Sequence, residues 1–334
     1  MTEPFFLRTL YCMNLSGIHH VTAVTADPAG NHAFYTKTLG LRLVKKTVNQ
    51  DDVSAYHLFY ADDDGTPGTD MTFFHWPHVN QSRVGPGNID RTLFLIPKGS
   101  VDYWSERLRD YGAATAVEDA YDGAPVIRFN DPEGQRLGLL AIEPVPDDVS
   151  TVQDGQVPPE HQLRGFASVE IRVASNWPTT DFLPVYLDFE RLSDSRTTDG
   201  ESVYRYRSGS GVRGGASYGD IQLIVDNATG RRGAVGVGGV HHVAFRVPDR
   251  DTQDAVLAEL SERGVPTSGL IDRFYFRSIY FREPGGVLFE IATDGPGFAV
   301  DEDKKSLGTE LALPPFLESR RAEIESALIP LTTR

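Results

Sequence analysis

The 334-residue chain has a single cysteine, Cys12, which excludes both a disulfide framework and a thiolate metal site. No apolar run approaches the roughly 18 residues that a membrane-spanning helix needs. With 40% hydrophobic and 24% charged residues, the composition is that of a soluble globular protein. The opening MTEPFFLRTLYCMNLSG carries an acid at Glu3 and lacks a basic start leading into an unbroken apolar stretch. It does not read as a secretory leader, and a cytoplasmic protein is expected. Basic residues are short too. A formal net charge of -15 leaves no patch to displace nucleic acid counterions or to hold an anionic membrane, so neither is expected as a partner. Lysine is scarcest, at 6 against 26 arginines, 29 aspartates and 18 glutamates. An Asp-rich, Lys-poor surface fits adaptation to concentrated salt, where self-repulsion is screened within a few ångströms, and fits codon bias equally well.

What the chain does have is a repeat. GIHHVTAVTADP from Gly17 is echoed by GVHHVAFRVPDR from Gly239, and between them GFASVEIRVAS from Gly165 and DRTLFLIPKGS from Asp90 keep the apolar run without the histidine pair. Gly165 and Gly239 are 74 residues apart, and Asp90 and Gly165 are 75 apart. Each start is followed by a helix signal, over Pro28–Leu39, Gly99–Gly112, Trp177–Leu187 and Asp251–Gly264, and then by strands. Four βαβββ modules result. The expected fold is α+β, in two tandem domains, each a curved cup-like mixed sheet with helices outside. FNDPEGQRLGLLAIE of the second module overlays YFREPGGVLFEIATD of the fourth, which sets Gly138 opposite Glu290.

The stretch Glu143–Gln162 is rich in Pro, Asp and Val and has no period, so it reads as a linker. The expected organisation is an extension over 1–16, two modules over 17–142, the linker over 143–162, two modules over 163–297, and a tail over 298–334. The tail has one helical stretch, Leu317–Leu328.

Strand alternation decides which of the nine histidines can meet. In HHVTAV, His20 and Thr22 share one face, and His19, Val21 and Ala23 share the other; in HHVAFRV, His242 is separated from His241 in the same way. The more apolar faces pack on helices, which leaves His20 and His242 on the concave side at equivalent repeat positions. In GVLFEIAT, Glu290 is a carboxylate at the centre of an apolar strand, and a buried carboxylate needs a compensating cation. Two imidazoles and one carboxylate fit a divalent metal and leave about half of an octahedral shell open, as in non-haem Fe(II) oxygenases. The silent modules offer Ser168 and Gly138 at the matching places. His57, His75, His78 and His161 read as structural. Asp62, Asp63 and Asp64 read as a turn, because EF-hand ligand spacing is missing.

With these runs in hand, the chain resembles the vicinal oxygen chelate superfamily, the fold of glyoxalase I, bleomycin-resistance proteins and extradiol dioxygenases. GIHHVTA, YHLFYADDDGTPGTDMTFF, PPEHQLRGF, GGVHHVAFRVPD, YFREPGGVLFEIATDGPGF and DEDKKSLGTELALP resemble its ring-cleaving dioxygenases that open hydroquinones. The resemblance spans Gly17 to Pro315. It implies an Fe(II) centre, with Mn(II) as the alternative, on His20, His242 and Glu290. It also implies roles for His19, His241, Thr22, Arg273 and Tyr280. One of the two flanking histidines, His19 or His241, would take the phenolic proton, and Arg273 and Tyr280 would stabilise negative charge on the ring oxygen. Alternation turns His19 and His241 away from the metal side, a conflict that strand twist would have to resolve. The expected partners are a small aromatic diol and O2, with homo-oligomerisation left open. Two rivals share the fold: a glyoxalase-type isomerase or lyase, whose site usually carries two carboxylates, and a non-catalytic protein that binds an aromatic or an antibiotic.

Overall fold

The computed structural model describes residues 13–331, except 120–122, 146–148, 154, 175–176, 198–199, 209–211, 214–215, 218 and 227–230. Cys12 and most of the 1–16 extension lie outside the described residues. The first module is β1 (Ile18–Thr25), α1 (Pro28–Ala33), β2 (Arg42–Asn49), β3 (Asp52–Ala61) and β4 (Asp70–His75). The second is β5 (Asn88–Pro97), α2 (Val101–Asp110), β6 (Ala116–Asp119), β7 (Pro125–Asn130) and β8 (Arg136–Ile142). The third is β9 (Phe166–Ala174), α3 (Thr179–Leu187), β10 (Glu190–Arg196), β11 (Ser202–Arg207) and β14 (Asp220–Asp226), with a small ribbon of β12 (Val212–Arg213) and β13 (Ala216–Ser217) inserted. The fourth is β15 (Val240–Val247), α4 (Arg250–Glu262), β16 (Ile271–Asp272), β17 (Arg277–Arg282) and β18 (Leu288–Thr293).

Local chemistry marks these boundaries. The glycines just before the first strands, Gly17, Gly87, Gly165 and Gly238, all have positive φ, which a side chain would resist. Asp249 caps α4 by accepting from the Thr252 amide, and Pro28 opens α1 behind the cap Asp27. The first helix signal is broken: α1 passes into a π-helical turn, Phe34–Thr38, closed by the Leu39 amide donating to the Phe34 carbonyl. The tail helix signal likewise begins as a 3-10 turn, and only α5 (Arg321–Ala327) is α-helical.

The strands form two eight-stranded mixed sheets. One runs β16-β17-β18-β15-β1-β4-β3-β2 and the other β10-β11-β14-β9-β5-β8-β7-β6. Each is built by antiparallel pairing of two first strands, β1 with β15 and β5 with β9. The first module therefore shares a sheet with the fourth, and the second with the third, so strands from both sides of the 143–162 segment meet in each sheet. A main apolar core draws on all four modules, with Trp104 and Leu108 of α2, Leu183 of α3 and Val256 and Leu260 of α4 covering it. The tail protects the sheet edge at β2: the Ala312 amide donates to the Lys46 carbonyl, and buried Lys45 pairs with Asp301 at 2.7 Å and with Glu302. No helix among the described residues is long and apolar enough to cross a membrane.

Candidate metal centre

The first strands are not regular. On β1 the register passes from Ile18 opposite Phe245 to His20 opposite Ala244, which leaves His19 as the extra residue of a β-bulge. On β15 the step from Ala23 opposite Val240 to Thr22 opposite His242 does the same to His241. A bulge interrupts alternation and re-aims a side chain. It brings each first histidine back against the second: the Nδ1 atoms of His19 and His20 are 3.0 Å apart, and those of His241 and His242 are 2.7 Å apart. Backbone register, not twist, thus sets each first histidine against the second, although neither reaches the pocket. The bulges recur in the other sheet, at Asp90 and Ala167, so they belong to the fold and not to the histidines.

The Nε2 atoms of His20 and His242 lie 3.3 Å apart, and Glu290 Oε2 lies 3.2 and 2.9 Å from them. All three residues are buried, and they are the group of three or more potential ligands found among the described residues. Ligands about 2.1 Å from an ion on one face of an octahedron sit about 3.0 Å apart, which matches these spacings. Glu290 Oε1 accepts from Ser278 at 2.5 Å, whereas Oε2 accepts no hydrogen bond. Burial alone would raise the Glu290 carboxyl, but the two imidazoles override it and hold it well below the usual range, so Oε2 is an anionic donor atom. Burial also lowers His242 and keeps it neutral, as a ligand must be.

His19 and His241 stand behind the ligands and do not line the pocket. Ligation through Nε2 puts the His20 proton on Nδ1, which donates to His19, and His19 Nε2 in turn reaches the Thr293 carbonyl at 3.2 Å. Burial and the adjacent imidazole push His19 well down, and burial takes His241 to about 3. Both are suited to orient ligands.

The ligand atoms open into a pocket of about 440 Å³, partly open to solvent, with walls from Phe59, Phe74 and Phe276. Arg273 and Tyr280 both line it, and Arg273 Nε donates to Tyr280 Oη at 3.2 Å. The guanidinium is held by both oxygens of Asp51, at 3.0 and 2.8 Å. Burial and the Glu290 charge raise the Tyr280 phenol above its ordinary value, so it stays a neutral donor. Thr22 is buried outside the pocket. It accepts from Thr72 Oγ1 at 2.8 Å, and Thr72 Oγ1 lies 3.0 Å from His57 Nε2. His57, read from sequence as structural, lines the pocket beside the ligands, and burial followed by the imidazoles of His20 and His242 depresses it well below 6.5. Its sequence signal was its place on a strand of a ligand-bearing module.

The second sheet fills the corresponding place differently. Arg91 stands opposite Glu170 as His242 stands opposite Thr22, and Gly138 stands opposite Leu93 as Glu290 stands opposite Ala244. Glu170 is paired with Arg128 at 2.9 Å and with Arg91 at 3.4 Å. Guanidinium groups fill this cup, leaving no ligand triad among the described residues.

The sequence profile described as the Glyoxalase/Bleomycin resistance protein/Dioxygenase superfamily matches residues 17–139 and 171–291. The chain belongs to that superfamily. Among its relatives is a Bacillus subtilis (strain 168) protein named "Putative ring-cleaving dioxygenase MhqA", 41% identical over 96% of this chain and 100% of its own length. A chlorohydroquinone/hydroquinone 1,2-dioxygenase from Sphingobium indicum is 33% identical over 93% of this chain and 95% of its own. A crystal structure described as a "putative dioxygenase" from Bacillus subtilis superposes with a TM-score of 0.84 at 36% identity, covering 96% of this chain and 98% of the other. Within the superfamily, the chain groups with the ring-cleaving dioxygenases.

Proposed function

We propose that this ring-cleaving dioxygenase takes a single-ring aromatic diol of hydroquinone type, with a catechol as the alternative, together with O2. The centre would be Fe(II), or alternatively Mn(II), held by His20, His242 and Glu290. The observation that carries this reading is the buried Glu290 Oε2, without a hydrogen bond, facing two imidazole Nε2 atoms at the base of an aromatic-walled pocket. A divalent ion held by these three residues would supply Lewis acidity toward a ring hydroxyl and a redox partner for O2.

The remaining work falls to the chain. Phe59, Phe74 and Phe276 hold the ring and exclude water. His57, neutral and donating from Nε2 to Thr72, keeps Nδ1 as its basic atom; we assign to it the removal of the ring hydroxyl proton, with Thr72 and Thr22 fixing its tautomer. His19 and His241, which lie outside the pocket, orient His20 and His242 instead. Tyr280 donates to the ring oxygen, and Arg273 offsets its charge. A single carboxylate among the ligands speaks against the glyoxalase-type alternative. The test is anaerobic loading with Fe(II) or Mn(II), then oxygen uptake against a panel of hydroquinones and catechols. One O2 consumed per ring opened is expected. A loaded protein that consumes no O2 with any of them contradicts the proposal and favours the isomerase or binding alternatives.

A further inference from the structure

We infer that the mouth of the pocket is closed by a latch, made of the Asp51–Arg273 ion pair and the Gln50 side chain, which releases to admit the substrate ring and closes behind it. This rests on the reading above in taking that ring to be an aromatic diol.

The sheet order sets where the latch lies. β2 and β16 are the opposite edges of the sheet that carries the ligands, and its curl brings both edges to one pocket. The end of β2 and the turn after it supply Asn49, Gln50 and Asp51, and the loop after β16 supplies Arg273, Tyr275 and Phe276. β2 is not paired with β16, so the cup has a seam that no ladder of backbone hydrogen bonds closes. Side chains close it instead. Asp51 takes both ends of the Arg273 guanidinium, at 3.0 and 2.8 Å, and Gln50 Nε2 donates to the Arg273 carbonyl at 2.8 Å. Among the described residues that line the pocket, Asp51 alone is exposed, at 71% of its side chain, so the seam is also the mouth.

The loop that carries Arg273 is strained. Phe274 has a φ of 69°, and the Tyr275 amide donates back to the Arg273 carbonyl at 2.8 Å, which makes a γ-turn of the rare kind. Gln50 binds that same carbonyl, so the latch and the turn share one atom. Phe276, a wall of the pocket whose ring centroid is 5.2 Å from that of His20, lies two residues beyond Phe274. Release of Asp51 and Gln50 would therefore free a strained loop and, with it, one wall of the pocket. An ion pair with so exposed a carboxylate is weak enough to open readily, and its two-point geometry specifies how it closes again. Closure has a use. It fixes the guanidinium whose Nε donates to Tyr280 Oη at 3.2 Å, so the pair that faces the ring oxygen is assembled once the ring is inside.

The test is anaerobic stopped-flow binding of hydroquinone to the metal-loaded full-length protein at pH 7, where the ligand is neutral and salt does not steer it. Wild-type association should quicken about three-fold from dilute buffer to molar KCl, which screens the pair. Asp51→Asn should associate about three- to ten-fold faster than wild type at low salt, lose the salt response, and dissociate faster by a similar factor, so that Kd moves little. Asp52→Asn, which removes the adjacent exposed charge, should behave as wild type. An unchanged association rate in Asp51→Asn, with only dissociation faster, would make Asp51 a positioning residue for Arg273 and overturn the latch. An equal change in Asp52→Asn would assign the effect to net charge and overturn it too. A wild type that binds no diol overturns the substrate reading and the latch together. One that shows the expected rates but consumes no O2 contradicts the dioxygenase reading and leaves the latch standing.

Discussion

At the scale of residues, the roles proposed for Glu290 and His57 can be tested apart, one as metal binding and the other as proton transfer. Glu290→Gln keeps an acceptor for Ser278 but removes the charge that faces the two imidazoles. Metal affinity should fall by more than about 100-fold while the melting temperature of the metal-free protein stays within a few degrees. Metal analysis and calorimetry on the same preparation check this, and full metal content with intact turnover would refute the ligand set. His57→Gln should do the reverse, with metal content retained and kcat reduced by about 10²- to 10⁴-fold, read by oxygen uptake under saturating diol. A variant that turns over like wild type would return His57 to a structural role. Alternation identified His20, His242 and Glu290 because a period of two needs no knowledge of partners. It could not find Asp51 as the partner of Arg273, 222 positions away, nor the placing of His57, which depends on how the sheet curls.

Elements show what a residue pattern leaves out. The bulges at His19 and His241 are register events, and the residues at the equivalent places of the other sheet, Ala167 and Asp90, share no side-chain chemistry with histidine. No composition signal could have announced them. The break of the first helix into a π-turn has a visible consequence: it sets Tyr35 so that its hydroxyl donates to Asp131 Oδ2 at 3.3 Å, tying the first module to the β7–β8 turn of the second. Asp131 also accepts from the amides of Glu133 and Gln135, yet burial raises it to about 6. A carboxyl whose folded pKa lies above its unfolded value near 3.8 favours folding while protonated in both states. That contribution is lost as pH rises from about 4 to about 6 and is flat above. Asp131→Asn does not titrate, so its stability relative to wild type should increase by up to about 3 kcal/mol across that window. Urea unfolding at pH 4.5, 5.5 and 6.5 measures the difference. Parallel profiles would show that the carboxylate is fully stabilised by its amide donors.

For the whole molecule, the repeat revealed four related modules but not which would share a sheet. That choice depends on pairing β1 with β15 and β5 with β9, contacts between strands far apart in the chain. Its result is one cup with the His20, His242 and Glu290 triad and one filled by Arg91, Glu170 and Arg128. Charge acts at this scale as well. If the -15 net charge is a salt adaptation, the melting temperature should rise by several degrees from dilute buffer to molar KCl, and equal values would assign the composition to codon usage.

The division of labour between the two cups is tested most directly by counting metal. Ser168 stands in the second sheet where His20 stands in the first, opposite Asp220 as His20 is opposite Asp70. Anaerobic titration of the full-length protein with Fe(II), followed by metal analysis, should give one equivalent per chain for wild type and for Ser168→Ala, and none for His20→Ala. Two equivalents in wild type, or loss of the ion in Ser168→Ala, would contradict the placement of the centre between the first and fourth modules.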